Sequence, residues 1–132
     1  MMIWNTAVRA NDRFSEKIFD LLKEESRNAD RVKSSQHAAC VVYKKQILSV
    51  GWNRKKSHPM MSRFSYKEHQ IYLHAEVDAL IRAINQYGNE ILKESDLYVL
   101  RTTKAGNVAD SKPCSGCTDV INAFGIKNVY WS

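Results

Sequence analysis

Two short patterns in the sequence carry residues that can bind a metal and move protons. His74 and Glu76 stand two residues apart in His-Ala-Glu, and Cys114 and Cys117, three apart, follow Pro113. Both patterns come just before apolar residues at helical spacing, so each is predicted to lie at the beginning of an amphipathic helix. A helix N-terminus stabilises negative charge, which favours cysteine thiolates at that position.

Zinc is the metal that this set of donors suits. One imidazole and two thiolates, from His74, Cys114 and Cys117, leave one tetrahedral position for water, which is typical of a catalytic site. Zinc lowers the pKa of a bound water to about 7. A carboxylate beside that water, here Glu76, can take its proton and deliver it elsewhere. The sequence therefore predicts one Zn²⁺ per chain and a hydrolytic enzyme.

A structural zinc site is the alternative, because a single Cys-x-x-Cys is also half of many such sites. The fourth ligand would then come from Cys40, His37, His58 or His69. That interpretation leaves Glu76 and the position of both patterns at helix starts without explanation. Cys40 lies in an apolar run and is predicted to be an ordinary core residue.

The elements that position these residues follow from hydrophobic periodicity. Apolar residues at helical spacing predict helices at 13–25, at about 75–87 and between Pro113 and Gly125. Apolar and β-rich runs predict strands at 37–43, 46–53, 97–101 and 129–131, the first two joined as a hairpin. Residues 54–72 are predicted to form a long irregular loop. Strands alternating with helices indicate a three-layer α/β fold.

Length and composition set broad limits. A chain of 132 residues with 44% hydrophobic and 26% charged residues fits a single globular domain, 1–132, with its own core. No apolar run is long enough to span a bilayer and no signal peptide is evident, so no membrane partner and a cytoplasmic location are expected. The net charge of +6 favours anionic partners such as nucleotides or a nucleic-acid backbone, although many small proteins have a basic surface.

The joint occurrence of H-x-E and P-C-x-x-C is the signature of zinc nucleobase deaminases. With it, the sequence resembles the cytidine and deoxycytidylate deaminase family, which includes tRNA adenosine deaminases and nucleic-acid-editing enzymes. The resemblance extends from the predicted hairpin to Trp131, and is strongest to small deoxycytidylate-deaminase-like proteins of the kind often encoded by phages. It implies a three-layer αβα cytidine-deaminase-like fold, with a central mixed sheet of four to five strands flanked by helices. It also implies a homo-oligomer.

The resemblance assigns roles to the two patterns. His74, Cys114 and Cys117 would bind zinc, and water would attack C4 of cytosine. Glu76 would protonate the ring nitrogen and then the departing amine. The backbone N–H of Ala75 would meet the carbonyl of the base.

Substrate contacts are expected from the segment after the predicted hairpin. Gly51-Trp52-Asn53 resembles the strand-end G-x-N of the family, whose Asn typically bonds a sugar hydroxyl, although Asn53 is also a suitable turn cap. Arg54, with the lysines that follow it, is predicted to hold a nucleotide phosphate, and His58 to contact the substrate. The alternative for both is a solvated loop.

The leading prediction is hydrolytic deamination of a cytosine nucleotide, dCMP to dUMP with release of ammonia. The basic and aromatic residues of 54–72 also permit a deaminase acting on cytosine or adenine in single-stranded DNA or RNA. A third interpretation, from a different class, is a catalytically silent, zinc-stabilised module that binds nucleotide or nucleic acid.

Overall fold

The structure is a computed structural model, and it describes residues 7–8, 13–30, 35–57, 72–111, 113 and 115–132. The helices in these ranges are α1 (Arg13–Glu25), α2 (Ala75–Tyr87) and α3 (Ser115–Phe124). The strands are β1 (Ala7–Val8), β2 (Ser35–Tyr43), β3 (Gln46–Trp52), β4 (Arg54–Ser57), β5 (Tyr72–Leu73), β6 (Asp96–Thr103), β7 (Val108–Ala109) and β8 (Asn128–Trp131). Short 3₁₀ helices occupy Ser26–Asn28 and Glu90–Glu94.

One mixed sheet forms the centre of the fold. Its strands lie in the order β1-β8-β6-β2-β3, and β7 pairs with β6. β2 is antiparallel to β3 and β6, whereas β8 is parallel to β6 and β1. The predicted mixed sheet is confirmed, with six strands in the described residues instead of four to five. The additional strands β1 and β7 have two residues each, too few to produce a hydrophobic pattern.

Helices cover both faces of the sheet, which confirms the three-layer αβα prediction. The side chains of successive β2 residues point to opposite faces of the sheet, as strand geometry requires. Ala38 and Cys40 pack in the cluster that contains the α1 residues Ile18 and Leu22. On the opposite face a larger cluster joins the sheet to α2 and α3, with residues Ala39, Val41, Val77, Leu80, Val120 and Ile121.

The helix and strand bounds test the sequence predictions directly. α1 and α2 begin and end where the periodicity predicts, and Gly88, at φ +85°, follows α2. The hairpin turn at Lys44 and Lys45 has positive φ at both residues, 47° and 64°. Two-residue hairpin loops favour this conformation because it matches the strand twist, even though lysine is uncommon there.

The predicted irregular loop at 54–72 is wrong at both ends. Arg54–Ser57 forms β4, which pairs antiparallel with β5, Tyr72–Leu73. This pairing joins residues that lie far apart in the sequence, so local patterns do not reveal it. Among the residues that the structure describes, no helix has the length and apolar character needed to cross a membrane.

Candidate active site

The histidine at the start of α2 does not cap the helix with its side chain. His74 is the N-cap residue, with extended backbone at φ −83° and ψ 152°, and its side chain makes no capping bond. Its carbonyl accepts the first helical hydrogen bond, from Asp78 N at 3.0 Å. The imidazole is therefore not used to cap the helix. Glu76, in the first turn, is only 4% exposed and lies beside the fully buried Ala75.

Cys117 approaches His74 from the start of a different helix. It is the third residue of α3 and is fully buried. Its Sγ lies 3.0 Å from Nδ1 of His74. Two helix N-termini therefore converge on one imidazole–thiol pair, and their free N–H groups and dipoles favour negative charge there.

The pair fits a zinc ion. Zinc–nitrogen bonds of about 2.0 Å and zinc–sulfur bonds of about 2.3 Å in tetrahedral geometry place the two ligand atoms roughly 3.5 Å apart. The 3.0 Å separation of Nδ1 and Sγ needs to open by only about 0.5 Å to reach that value. Within the described ranges no group of three or more His, Cys, Asp or Glu is placed to hold a metal. The third predicted ligand, Cys114, lies outside the described residues.

The end of β3 lies directly against the first turns of α2. A Cβ on Gly51 would stand 2.2 Å from Ala79 N and 2.6 Å from Ala75 O. Only glycine permits so close an approach of strand and helix backbones. Ser49 Oγ adds a 2.7 Å hydrogen bond to Ala79 O. The strand end that carries Asn53 is therefore fixed relative to the helix that carries His74 and Glu76.

Asn53 itself ties three segments together. Its Oδ1 accepts a 2.6 Å hydrogen bond from His37 N, and its Nδ2 donates to Asp30 O at 2.7 Å. The residue is 4% exposed. An amide has two N–H groups and two lone pairs, so Asn53 can still accept and donate one further bond each. The predicted sugar contact remains a prediction, and the structure adds a structural role beside it.

Trp52 is the centre of a cluster that sequence analysis did not identify. Its backbone N donates a 3.0 Å hydrogen bond to Asp78 Oδ2. Arg82 Nε contacts both oxygens of the same carboxylate, at 3.2 and 3.1 Å. The guanidinium carbons of Arg82 and Arg54 lie 5.2 and 5.1 Å from the centre of the Trp52 ring. The i, i+4 spacing of Asp78 and Arg82 was visible in the sequence, but their contact with Trp52 was not.

A second unpredicted cluster precedes the cysteine pattern. Ser111 is 3% exposed, and its Oγ donates to Val99 O at 2.9 Å. Ser132 donates to Ser111 Oγ through its backbone N, at 2.9 Å, and its own Oγ reaches Ala109 O at 2.7 Å. Only two residues separate Ser111 from Cys114 in the chain, so these bonds fix the position of the chain just before the cysteine pattern. Serines in a polar run carry no sequence signal for this role.

The other residues considered as ligands or substrate contacts lie in different parts of the chain. Cys40 is fully buried beneath α1, which confirms the core prediction, and burial raises the pKa of its thiol. Arg54 is half-buried, with NH1 3.4 Å from Asn28 O. His58 and His69 lie outside the described residues. His37 is half-buried in β2.

Solved structures similar to this chain are nucleobase deaminases. The apo dCMP deaminase of cyanophage S-TIM5 is 29% identical, with a TM-score of 0.52, covering 87% of this chain and 76% of that one. The same enzyme in complex with dCMP and dUMP aligns at 23% identity and TM-score 0.60, covering 93% and 83%. Guanine deaminase from Bacillus subtilis aligns at 21% identity and TM-score 0.56, covering 93% and 64%. No curated protein sequence matches this chain.

The fold of these neighbours and the imidazole–thiol pair define a zinc-dependent deaminase. The family described as the cytidine and deoxycytidylate deaminase zinc-binding region matches residues 12–132. The chain belongs to this family, which confirms the resemblance inferred from H-x-E and P-C-x-x-C.

Proposed function

We propose that this enzyme hydrolyses the exocyclic amino group of cytosine in a nucleotide, converting dCMP to dUMP and ammonia. The observation that carries the proposal is the 3.0 Å contact between His74 Nδ1 and Cys117 Sγ. The buried Glu76 follows His74 by two residues in the same helix start. The similarity to a phage dCMP deaminase supports the choice of nucleotide. The proposed unit is one domain, residues 1–132, with one Zn²⁺.

His74, Cys114 and Cys117 hold the metal in this proposal. Bound there, zinc supplies a Lewis acid that lowers the pKa of water towards neutrality. The two helix N-termini stabilise the thiolates and any negative charge that develops on the substrate. Thiol ligands stay reduced in the cytoplasm, where we expect the enzyme to act, and a homo-oligomer is part of the same proposal.

Glu76 carries protons between water and substrate. It accepts a proton from the attacking water and delivers it to N3 of cytosine, so that C4 becomes tetrahedral. It then takes the proton of the new C4 hydroxyl and passes it to the exocyclic nitrogen, the C4–N4 bond breaks as the C4 carbonyl forms, and uracil and ammonia result. Burial of Glu76 keeps bulk water from competing for these protons.

The remaining predicted contacts orient the nucleotide. Ala75 offers its N–H at the first turn of α2, where helix geometry leaves donors without intrahelical acceptors. Asn53 uses its spare amide capacity for a sugar hydroxyl. Arg54 and His58 are proposed substrate contacts, with Arg54 at the phosphate.

A substrate panel with zinc-loaded protein tests the proposal. Ammonia release is measured for cytosine, deoxycytidine, dCMP, cytidine, CMP and guanine, and for oligonucleotides that contain cytosine or adenosine. We expect the highest kcat/KM for dCMP. Equal turnover of deoxycytidine and dCMP would refute the nucleotide requirement, and turnover of oligonucleotides alone would favour a nucleic-acid deaminase.

Glu76→Gln is the matched chemical control. We expect kcat to fall by about 10²- to 10⁴-fold, the usual contribution of an acid–base group. Zinc content, measured by atomic absorption, should stay at one ion per chain. If wild type and Glu76→Gln are equally inactive on every substrate and bind nucleotide equally well, the protein is a binding module.

A further inference from the structure

The edge strand β3 carries a group of hydrogen-bond donors with too few acceptors among the described residues. Trp52, Arg54 and Arg82 form this group, here called the Trp52 cluster, with both guanidinium carbons within 5.2 Å of the indole centre. One carboxylate, that of Asp78, lies against it. Counted over the described residues, two positive charges against one negative charge give the cluster a net positive charge.

The donors of the cluster are not saturated by the described residues. Trp52 Nε1 is screened from solvent and has no acceptor among the described residues. Arg82 contacts Asp78 through Nε, and its side chain is 50% exposed. Arg54 donates one 3.4 Å hydrogen bond to the backbone carbonyl of Asn28 and otherwise lies over the indole ring. A buried donor without an acceptor is costly, so an anion at this place would lower the free energy of the cluster.

The Trp52 cluster lies at the edge of the sheet, where the indole packs against the α1 cluster and Arg82 reaches it from α2. Trp52 directly precedes Asn53, and Gly51 touches the backbone of Ala75 and Ala79. Arg82 follows His74 by eight residues of chain, about 12 Å along a helix. Helical side chains lean towards the N-terminus, and the bonds from Arg82 Nε back to Asp78 show this direction. Its guanidinium therefore reaches back towards the end of the helix where the substrate is proposed to bind.

We propose that Arg54 and Arg82, both stacked on Trp52, bind the phosphate of the nucleotide substrate and make the enzyme prefer nucleotides to nucleosides. The inference rests on the proposed function and adds Arg82 as a specificity-determining residue. Paired guanidinium groups suit a phosphate because their planar N–H groups form bidentate, charge-assisted bonds to its oxygens. Asp78 opposes the phosphate by charge while it orients Arg82.

The competing explanation is purely structural. The backbone N–H of Trp52 points away from β2, at the edge of the sheet, and Asp78 and Arg82 cover this backbone N–H there. In that case Asp78→Asn and Arg82→Gln act in the same direction, because each breaks the same ion pair. In a phosphate site they act in opposite directions, because one removes a repelling charge and the other an attracting one.

The test is the ratio of kcat/KM for dCMP to kcat/KM for deoxycytidine, which cancels any change in the fraction of folded enzyme. We expect Arg82→Gln and Arg54→Gln each to lower the ratio roughly tenfold, the size of one charge-assisted hydrogen bond. Arg82→Lys should fall between Gln and wild type, and Asp78→Asn should raise the ratio or leave it unchanged. Arg27→Gln is the matched control, since Arg27 pairs with Glu24 on the exposed surface, and the ratio should not change.

Several results would overturn the inference. A ratio within twofold of wild type in both Arg82→Gln and Arg54→Gln excludes a phosphate contact. An equal fall in Asp78→Asn and Arg82→Gln supports edge protection instead. If the arginine variants lose kcat/KM only for cytosine-bearing oligonucleotides, the cluster binds a nucleic-acid strand and not the phosphate of a free nucleotide. If wild type deaminates no cytosine compound, the proposed function fails by itself. The phosphate site is then tested by calorimetry with dUMP and deoxyuridine. It is supported if Arg82→Gln weakens the binding of dUMP more than that of deoxyuridine, and it is refuted if the substitution changes the binding of both ligands equally.

Discussion

Replacing Gly51 with alanine should damage stability and activity together. The added Cβ would stand 2.2 Å from Ala79 N, 2.6 Å from Ala75 O and 2.8 Å from Ala79 Cα. All three atoms belong to the backbone of α2, so no side-chain rotation relieves the contact. β3 and α2 must instead separate by about 1 Å, a larger shift than a well-packed interior absorbs easily.

The cost can be worked out from the bonds across this contact. Overpacking of a core costs about 1–3 kcal/mol. Separation also stretches the bonds from Ser49 Oγ to Ala79 O and from Trp52 N to Asp78, each worth about 1 kcal/mol. The sum is about 3–5 kcal/mol, a large part of the 5–15 kcal/mol that stabilises typical domains. Because the same contact sets the distance from Asn53 to Glu76, kcat/KM should fall more than the loss of folded protein explains.

Urea unfolding of the zinc-loaded protein measures the first effect, and kcat/KM per folded molecule the second. Gly106→Ala is the control, because Gly106 has φ +85° and no atom within 4 Å of an added Cβ. That substitution should cost only about 1–2 kcal/mol of left-handed strain and leave kcat/KM unchanged. If Gly51→Ala loses less stability than Gly106→Ala and keeps full activity, the close contact of β3 with α2 does not constrain the site.

Further predictions concern other parts of the molecule. Ser111→Ala removes the acceptor of Ser132 N and should cost about 1–3 kcal/mol in urea unfolding. It should also weaken zinc binding in a chelator competition, whereas an unchanged zinc affinity would separate Ser111 from the cysteine segment. Burial raises the pKa of Asp96 above 3.8 against the opposing effects of its bond from Asn128 and the charge of Lys127. Its stabilising contribution is therefore full below pH 3.8 and is lost as the pH rises through the raised pKa. Asp96→Asn should be more stable than wild type at pH 7 but not at pH 3, and a constant difference between the two pH values would contradict this. Chelation of zinc should abolish deamination and lower Tm, and added zinc should restore both. A Tm that chelator leaves unchanged would mean that the metal does not stabilise the fold.

The sequence predicted the three helices and the strands β2, β3, β6 and β8 because their signals are local. The apolar spacing of 13–25 and 75–87 gave correct bounds, since each helix buries one continuous stripe. β4 and β5 escaped prediction because their pairing connects Arg54 with Leu73, and pairing between distant residues leaves no periodicity. β7 escaped because two residues cannot show an alternation.

The candidate site divides in the same way. His74, Glu76 and Cys117 could be proposed from the sequence because a metal and a proton carrier require particular atoms at particular spacings, and the structure brings His74 and Cys117 together. Asp78 and Arg82 were not, because their importance depends on which strand lies beside α2. A sequence shows an acidic and a basic residue four apart on many helices, and only the position of Trp52 distinguishes this pair.

The separation of His74 and Cys117 is decided by the sheet and not by either helix alone. α2 and α3 both pack on one face, through the cluster that includes Leu80 and Val120. α2 is further locked to β3 at Gly51, whereas the entry to α3 is tied through Ser111 to β6. Each of the two proposed metal ligands is thus positioned by a different strand, and the pairing of β2 with both strands sets the register between them. A rigid antiparallel core between two helix starts explains how residues more than forty positions apart meet at 3.0 Å.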